Sequence, residues 1–228
     1  LEGKMREIAV HQVTEAIEDM CVRANYYLSE DMTACLKKAQ KTENTELGKK
    51  ILDQLQKNLE IAGTDMIPIC QDTGMAVIFL EIGQDVHFID GNLTDAVNEG
   101  VRKGYEKGYL RKSVVSDPIL RENTHDNTPA VIHTKIVDGE HVSITFAPKG
   151  FGSENMSRIF MLKPADGIDG VKHAILTAVK DAGPNACPPM VVGVGVGGTF
   201  EKAACMAKEA LTRDLDDKPE IKWVNELE

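Results

Sequence analysis

The run "MAVIFLEI", residues 75–82, decides the fold class, because it interrupts a chain that is helical up to that point. It is short, almost wholly apolar and rich in Val, Ile and Phe, so it reads as a strand and not as another helix. Immediately before it stands "IPICQDTG", residues 67–74, which sets a thiol at the mouth of that strand beside an amide and a carboxylate.

Working upstream, Ile8, Val13, Ile17, Met20 and Cys21 form one stripe on a helix over residues 4–24. Ser29 caps a second helix to about Lys38, and Thr45 to Leu59 spaces Leu47, Ile51, Leu52, Leu55 and Leu59 as a third. Downstream, "GNLTDAVNEGVRKGYEKGYL" predicts a helix capped at Asn92 or Thr94. "PAVIHTKIV" and "HVSITFAP" flank Asp138-Gly139, the strongest short hairpin signal in the chain. "GIDGVKHAILTAVKDAG" predicts a helix, "MVVGVGV" a buried strand, and "TFEKAACMAKEALTR" a last helix capped by Thr199. The expected fold is α/β in the mixed α+β sense: N-terminal helices, then mixed sheets with a β-hairpin and flanking helices, in one domain over residues 1–228.

The 228 residues are 42% hydrophobic and 27% charged, without an apolar stretch long enough to span a bilayer. A net charge of -10 disfavours nucleic acid and anionic membrane as partners, since both reward a basic face. A small anionic substrate needs only a few local cations, so it stays open. Five cysteines, an odd number without an export signal, point to reduced thiols in the cytoplasm.

Cys70 and Cys187, the latter in "NACPP", both fall in turn-forming loops at strand edges. They read either as exposed ligands, because the thiolate binds a metal, or as small buried hydrophobes. Cys21, Cys35 and Cys205 sit on apolar helix faces and read as core filling. "APKGFGSEN", residues 147–155, is either a glycine turn or a seat for a carboxylate or phosphate beside Lys149. Arg111 and Arg121 can grip a carboxylate through two parallel hydrogen bonds or stand solvated in a loop. "GVGVGG", residues 193–198, matches the letters of a dinucleotide loop, but no second strand carries an acid downstream; tight packing of strand on helix is the preferred reading.

Taken in order, "ICQDTG", "YLRKS", "NTP", "PKGFGSENM", "MLKPADGIDGVK" and "NACPPMVVGVGVGGTFEKAA" resemble the α subunit, or N-terminal domain, of the class I iron–sulfur fumarate hydratases. The likeness runs from about residue 10 to 215. The sister family, the L-tartrate dehydratase α subunit, is similar at "CQDTG" and "NACPP", while "KGFGSEN" reads as the fumarase form.

The resemblance implies reversible hydration of fumarate to (S)-malate, a step of the citric acid cycle, on a 4Fe-4S cluster. Cys70 and Cys187 would be two of its three cysteine ligands, leaving one iron open as a Lewis acid. Gln71 and Asp72 match substrate-site positions and are the catalytic candidates, with Asp72 orienting a water or hydroxyl. Arg111 matches an arginine that pairs a substrate carboxylate, Gly152 a backbone contact, and Lys149 and Asn155 further substrate contacts. The family's third cysteine lies beyond the "VGVGGT" helix, so the chain is expected to be truncated before it and inactive alone. The remaining groups would come from a β subunit or fused C-terminal domain, in an α/β hetero-oligomer or on an α homodimer. Alternatives are tartrate dehydratase, a nucleotide-binding domain, or a non-catalytic scaffold.

Overall fold

The computed structural model describes residues 5–228, which divide into two compact units, Leu1–Gly150 and Phe151–Glu228. No helix of the described residues is long and apolar enough to cross a membrane. The fold is mixed α/β, as the sequence predicts.

The first unit opens with β1 (Arg6–Ala9), which pairs in parallel with β3 (Val86–Ile89). The first helix predicted from residue 4 therefore starts later, as α1 (Val10–Tyr26). α2 (Glu30–Thr42) and α3 (Glu46–Asp65) follow, and the Thr45 hydroxyl caps α3 by accepting from Gly48 N–H. Few of their side chains are buried: Leu36 in α2, Ala62 in α3.

β2 (Met75–Gly83) is the structural centre of this unit. It pairs in parallel with β4 (Val131–Val137) and antiparallel with β5 (Val142–Lys149), giving the order β4-β2-β5. The hairpin predicted around Asp138-Gly139 is thus absent: β4 and β5 flank the turn, but β2 lies between them. The connection instead wraps the end of β2, where Gly83 N–H donates to His141 O and Gln84 N–H to Val137 O. The reason is β2 itself, which is apolar on both faces. Ala76, Ile78, Leu80 and Ile82 pack into the main core with α1 and with α4 (Leu93–Lys107), while Val77 and Phe79 are buried on the opposite side. A strand apolar on both faces gains most from a central place with a neighbour on each edge.

α1 and α4 cover the core face of β2. Asn92 caps α4 by accepting from Asp95 N–H. A Cβ at Gly100 would come 2.7 Å from Thr14 O and one at Gly104 2.5 Å from the Cys21 Cβ, so these two glycines let the helices approach closely. Cys21 is fully buried, as predicted. Burial pushes its thiol up to about 12, with the Glu18 charge adding and a backbone hydrogen bond partly offsetting. Cys35, also read as core filling, is exposed on α2.

The second unit contains α5 (Phe151–Glu154), α6 (Gly167–Ala182), α7 (Phe200–Ala210) and α8 (Lys222–Leu227), with short 3-10 turns at Pro164–Asp166 and Gly183–Ala186. The predicted strand "MVVGVGV" is not one. Residues 190–196 form no ladder, and Val191, Val192, Val194 and Val196 are all more than a third exposed. The alternation explains this: Gly193 and Gly195 lie flat on α7, where added Cβ atoms would come 2.1 Å from Ala207 O and Ala203 O. Val194 between them then points away from the helix. Thr199 precedes α7 without a side-chain cap; its hydroxyl donates to Glu201 instead.

Candidate active site

Strand direction brings three loops to one end of the β4-β2-β5 sheet. β2 and β4 begin there, at Met75 and Val131, and the antiparallel β5 ends there, with Lys149 opposite Met75. The loops meeting at this end are therefore 67–74, 111–130 and the start of the glycine loop at Gly150. Loops held by a rigid scaffold are where folds usually present ligand groups.

The first loop is anchored before and after its thiol. Ile69 N–H donates to Asn25 O at 2.8 Å, and Asn58 Nδ2 donates to Ile69 O at 2.8 Å. Cys70 itself is exposed, and Asp72 N–H points at its Sγ from 3.4 Å. The thiol lies 3.5 Å from Gln71 Oε1. Asp72 is half-buried, with its carboxylate beside Gly150, where an added Cβ would come 3.1 Å from Oδ2. Gly74 has φ 66 and packs on the Lys149 carbonyl, whose oxygen an added Cβ would approach to 2.3 Å, so only glycine fits this corner.

Behind these groups is a buried hydrogen-bonded layer. The Thr73 hydroxyl donates to Arg111 O at 3.1 Å, and the Tyr105 hydroxyl donates to Thr73 O at 2.7 Å and Gly74 O at 3.2 Å. Asn127 Nδ2 donates to Gly74 O at 3.1 Å, while Asn127 Oδ1 accepts from Ser113 N–H at 2.8 Å and Val114 N–H at 3.1 Å. Tyr105 and Asn127 are fully buried and Thr73 is 2% exposed. Burial, then the nearby Cys21 and Asp72 charges, push the Tyr105 hydroxyl well above its usual range, so it remains a donor.

Arg111 is exposed, and its guanidinium has no ion-pair partner among the described residues. It is held by its backbone and left open at its charge. Arg121 lies on a separate turn, closed by its own N–H to Asp117 O. Close by, Asp126 accepts from Arg102 and from both Thr128 N–H and Thr128 hydroxyl. Burial raises the Asp126 carboxyl, but those hydrogen bonds and the Arg102 charge outweigh it and hold the group below the usual range. Ser113 Oγ is buried without a hydrogen-bond partner among the described residues.

In the second unit, Cys187 ends the Gly183–Ala186 turn at φ 57, a left-handed conformation that a non-glycine residue adopts at some cost. Its side chain is exposed, and Gly152 lies against it: a Cβ there would come 3.9 Å from Cys187 Sγ and 3.7 Å from Asn185 O. The glycine loop and the "NACPP" loop are neighbours within this unit. Asn155 is exposed just after α5.

The structure therefore groups Cys70, Gln71, Asp72, Arg111 and Lys149 at one sheet end of the first unit, and Gly152 with Cys187 in the second. Sequence reasoning assigns no role to Tyr105, Thr73 or Asn127. Of the three, Thr73 and Asn127 carry a signal, since they fall in the quoted motifs "ICQDTG" and "NTP". Cys70 in the first unit and Cys187 in the second are each exposed loop thiols, a donor type that suits iron–sulfur ligation. Among the described residues, no three His, Cys, Asp or Glu side chains converge as a complete metal site.

A family model described as "Fumarate hydratase (Fumerase)" matches residues 14–228. A protein of Methanocaldococcus jannaschii named "Putative L(+)-tartrate dehydratase subunit alpha" is 37% identical over 224 residues, covering 95% of this chain and 78% of that protein. The L(+)-tartrate dehydratase subunit alpha of Escherichia coli strain K12 is 27% identical over 226 residues, covering 98% of this chain and 74% of its own. The family is named for fumarate and these relatives for tartrate, so the names do not separate the two substrates that "KGFGSEN" is expected to distinguish.

Proposed function

The chain belongs to the fumarate hydratase (Fumerase) family of hydro-lyases, and on that premise we propose that it is the α-type subunit of a cytoplasmic enzyme interconverting fumarate and (S)-malate. The observation that carries the reading is the convergence of Cys70, Asp72, Arg111 and Lys149 at one end of the β4-β2-β5 sheet.

Each group has a task suited to a dianion. The open guanidinium of Arg111 grips one substrate carboxylate through paired hydrogen bonds, and Lys149 adds positive charge at the same sheet end. Gln71 presents both a donor and an acceptor. The half-buried Asp72 carboxylate accepts from the substrate hydroxyl or from water and so orients it. Gly152 leaves room beside Cys187 and offers backbone polarity, with Asn155 nearby in sequence for a second polar contact.

Cys70 and Cys187 would hold a 4Fe-4S cluster, which when bound supplies an open iron as Lewis acid toward a substrate oxygen. The relatives are named as alpha subunits, which supports a β-type partner completing the ligand and proton-transfer groups. Those same names support a second reading, L-tartrate as the substrate.

The test is to produce the chain with a β-type partner under anaerobic conditions and offer fumarate, (S)-malate and L-tartrate, following the C=C absorbance or the product acid. Turnover of fumarate and malate is expected. Arg111→Lys should lower kcat/KM by roughly 30- to 100-fold, the loss of a two-pronged carboxylate grip. Turnover of L-tartrate alone would move the substrate to the second reading, and turnover of none of the three would overturn both.

A further inference from the structure

The buried layer behind the exposed loop does more than fill the core. Asn127 joins three segments that are far apart in sequence: its own turn, the Ser113–Val114 backbone and the Gly74 carbonyl. The orientation of its amide is fixed by chemistry, because Ser113 N–H and Val114 N–H can only donate. Oδ1 must face them, and Nδ2 is left to face Gly74 O. Its φ of 61 is one that asparagine tolerates better than most side chains. Tyr105 reaches the same corner from α4 and donates to both Thr73 O and Gly74 O. Thr73 closes the circuit by donating to Arg111 O.

Every link in that circuit touches the backbone of either the Cys70–Gly74 loop or the Arg111–Val114 segment. These are the two pieces of the first unit that bear the candidate ligand thiol and the candidate carboxylate-gripping arginine. We propose that Asn127 and Tyr105 are positioning residues, whose buried side chains fix the Cys70–Gly74 loop against the Arg111–Val114 segment so that Cys70, Asp72 and Arg111 keep one mutual geometry. The functional meaning of those three groups rests on the reading given under Proposed function; the coupling rests on the hydrogen bonds alone. A buried network with every member satisfied specifies one arrangement, and losing a single member leaves backbone groups unpaired.

Three substitutions in the full chain separate the links. Asn127→Asp keeps an acceptor for Ser113 and Val114 but sets a second oxygen against the Gly74 carbonyl. Tyr105→Phe keeps the ring in the core and removes only the donations to Thr73 and Gly74. Tyr26→Phe is the control, since it removes a comparable buried bond, to Gly108 O at 2.9 Å, from the same core. Amide hydrogen exchange is then followed in peptides spanning 69–76 and 111–115.

Asn127→Asp and Tyr105→Phe should each speed exchange in 69–76 about tenfold, the scale of one lost buried hydrogen bond, and leave 111–115 within about twofold of wild type. Asn127→Ala should speed both peptides, and Tyr26→Phe neither. In the assembled enzyme, Tyr105→Phe should lower kcat/KM about tenfold while Tyr26→Phe leaves it unchanged. The proposal is overturned if peptide 69–76 keeps its wild-type rate in both Asn127→Asp and Tyr105→Phe, or if Tyr26→Phe reproduces the Tyr105→Phe pattern. Should the exchange pattern hold while the wild-type complex turns over none of the three diacids, the coupling stands and the functional reading falls.

Discussion

The two candidate cysteines stand on very different foundations. Cys70 follows a backbone pinned at Ile69 and precedes the buried Thr73 and Gly74, all of it resting on a sheet face packed by α1 and α4. Cys187 ends a short turn in a unit where, among the described residues, Ala182 is the one buried hydrophobic side chain. Large apolar groups there stay open, including Leu176 at 58% and Phe200 at 62%. Precise placement of an exposed group needs a supporting layer that is buried and hydrogen-bonded. The first unit has such a layer in Tyr105 and Asn127, with Ser113 Oγ beside them as the one unpaired buried side-chain atom among the described residues; the second reaches its arrangement chiefly through backbone contacts such as Gly193 and Gly195 on α7.

The most forceful way to break this contrast is to compare cavities. Ile78 is fully buried in the main cluster, so Ile78→Ala should lower stability by about 3 kcal/mol in urea unfolding, the usual range for a large-to-small core change. Leu176→Ala, at an exposed position of α6, should cost less than about 1 kcal/mol. Equal losses would show that the second unit has a core of comparable worth.

A smaller effect sharpens the contrast through pH. Cys21 ionises near 9.0 when unfolded and near 12 when folded, so the unfolded chain releases its proton first as pH rises. Its contribution is complete below pH 9 and is lost progressively between 9 and 12. Tyr105 shifts in the same direction and adds to the loss at the alkaline end. The unfolding free energy should fall between about pH 8 and 10.5 by roughly 2 kcal/mol for Cys21, and Cys21→Ala should flatten that part of the profile. Exchange in residues 167–182 should not follow it.

The smallest expected change concerns Arg102 and Asp126, which brace the turn carrying Asn127. The depressed Asp126 carboxyl gives stability that is present above its ordinary pKa of 3.8 and disappears as pH falls through its lower folded value. With Arg102 43% exposed, solvent screens the pair, and Arg102→Ala should cost only about 0.5 kcal/mol at pH 7 and progressively less as acid protonates Asp126. Thermal melts of both proteins across that range measure the difference.

Composition, motif order and two of the helix caps were legible along the chain, while Ser29 and Thr199, also expected as caps, make no side-chain cap. Thr45 and Asn92 cap the helices expected of them, Cys21 is core, and "CQDTG" does precede a strand. Short-range signals misled where a longer-range competition decided. Asp138-Gly139 favours a hairpin locally, yet β2 takes the place between β4 and β5 because its two apolar faces and two edges all need cover. "REIA" at residues 6–9 has no strand pattern of its own and becomes one by pairing with Val86–Ile89.

By itself, then, the sequence determined the kinds of chemistry on hand, the starts of α3 and α4 and the family likeness, because caps, turns and motifs depend on neighbours a few residues away. Tertiary structure decided which strand is central, and therefore which loops share a sheet end. It also gave Asn127 and Tyr105 their place, since a buried donor acquires its meaning from a carbonyl many positions distant, and no local pattern encodes that partner.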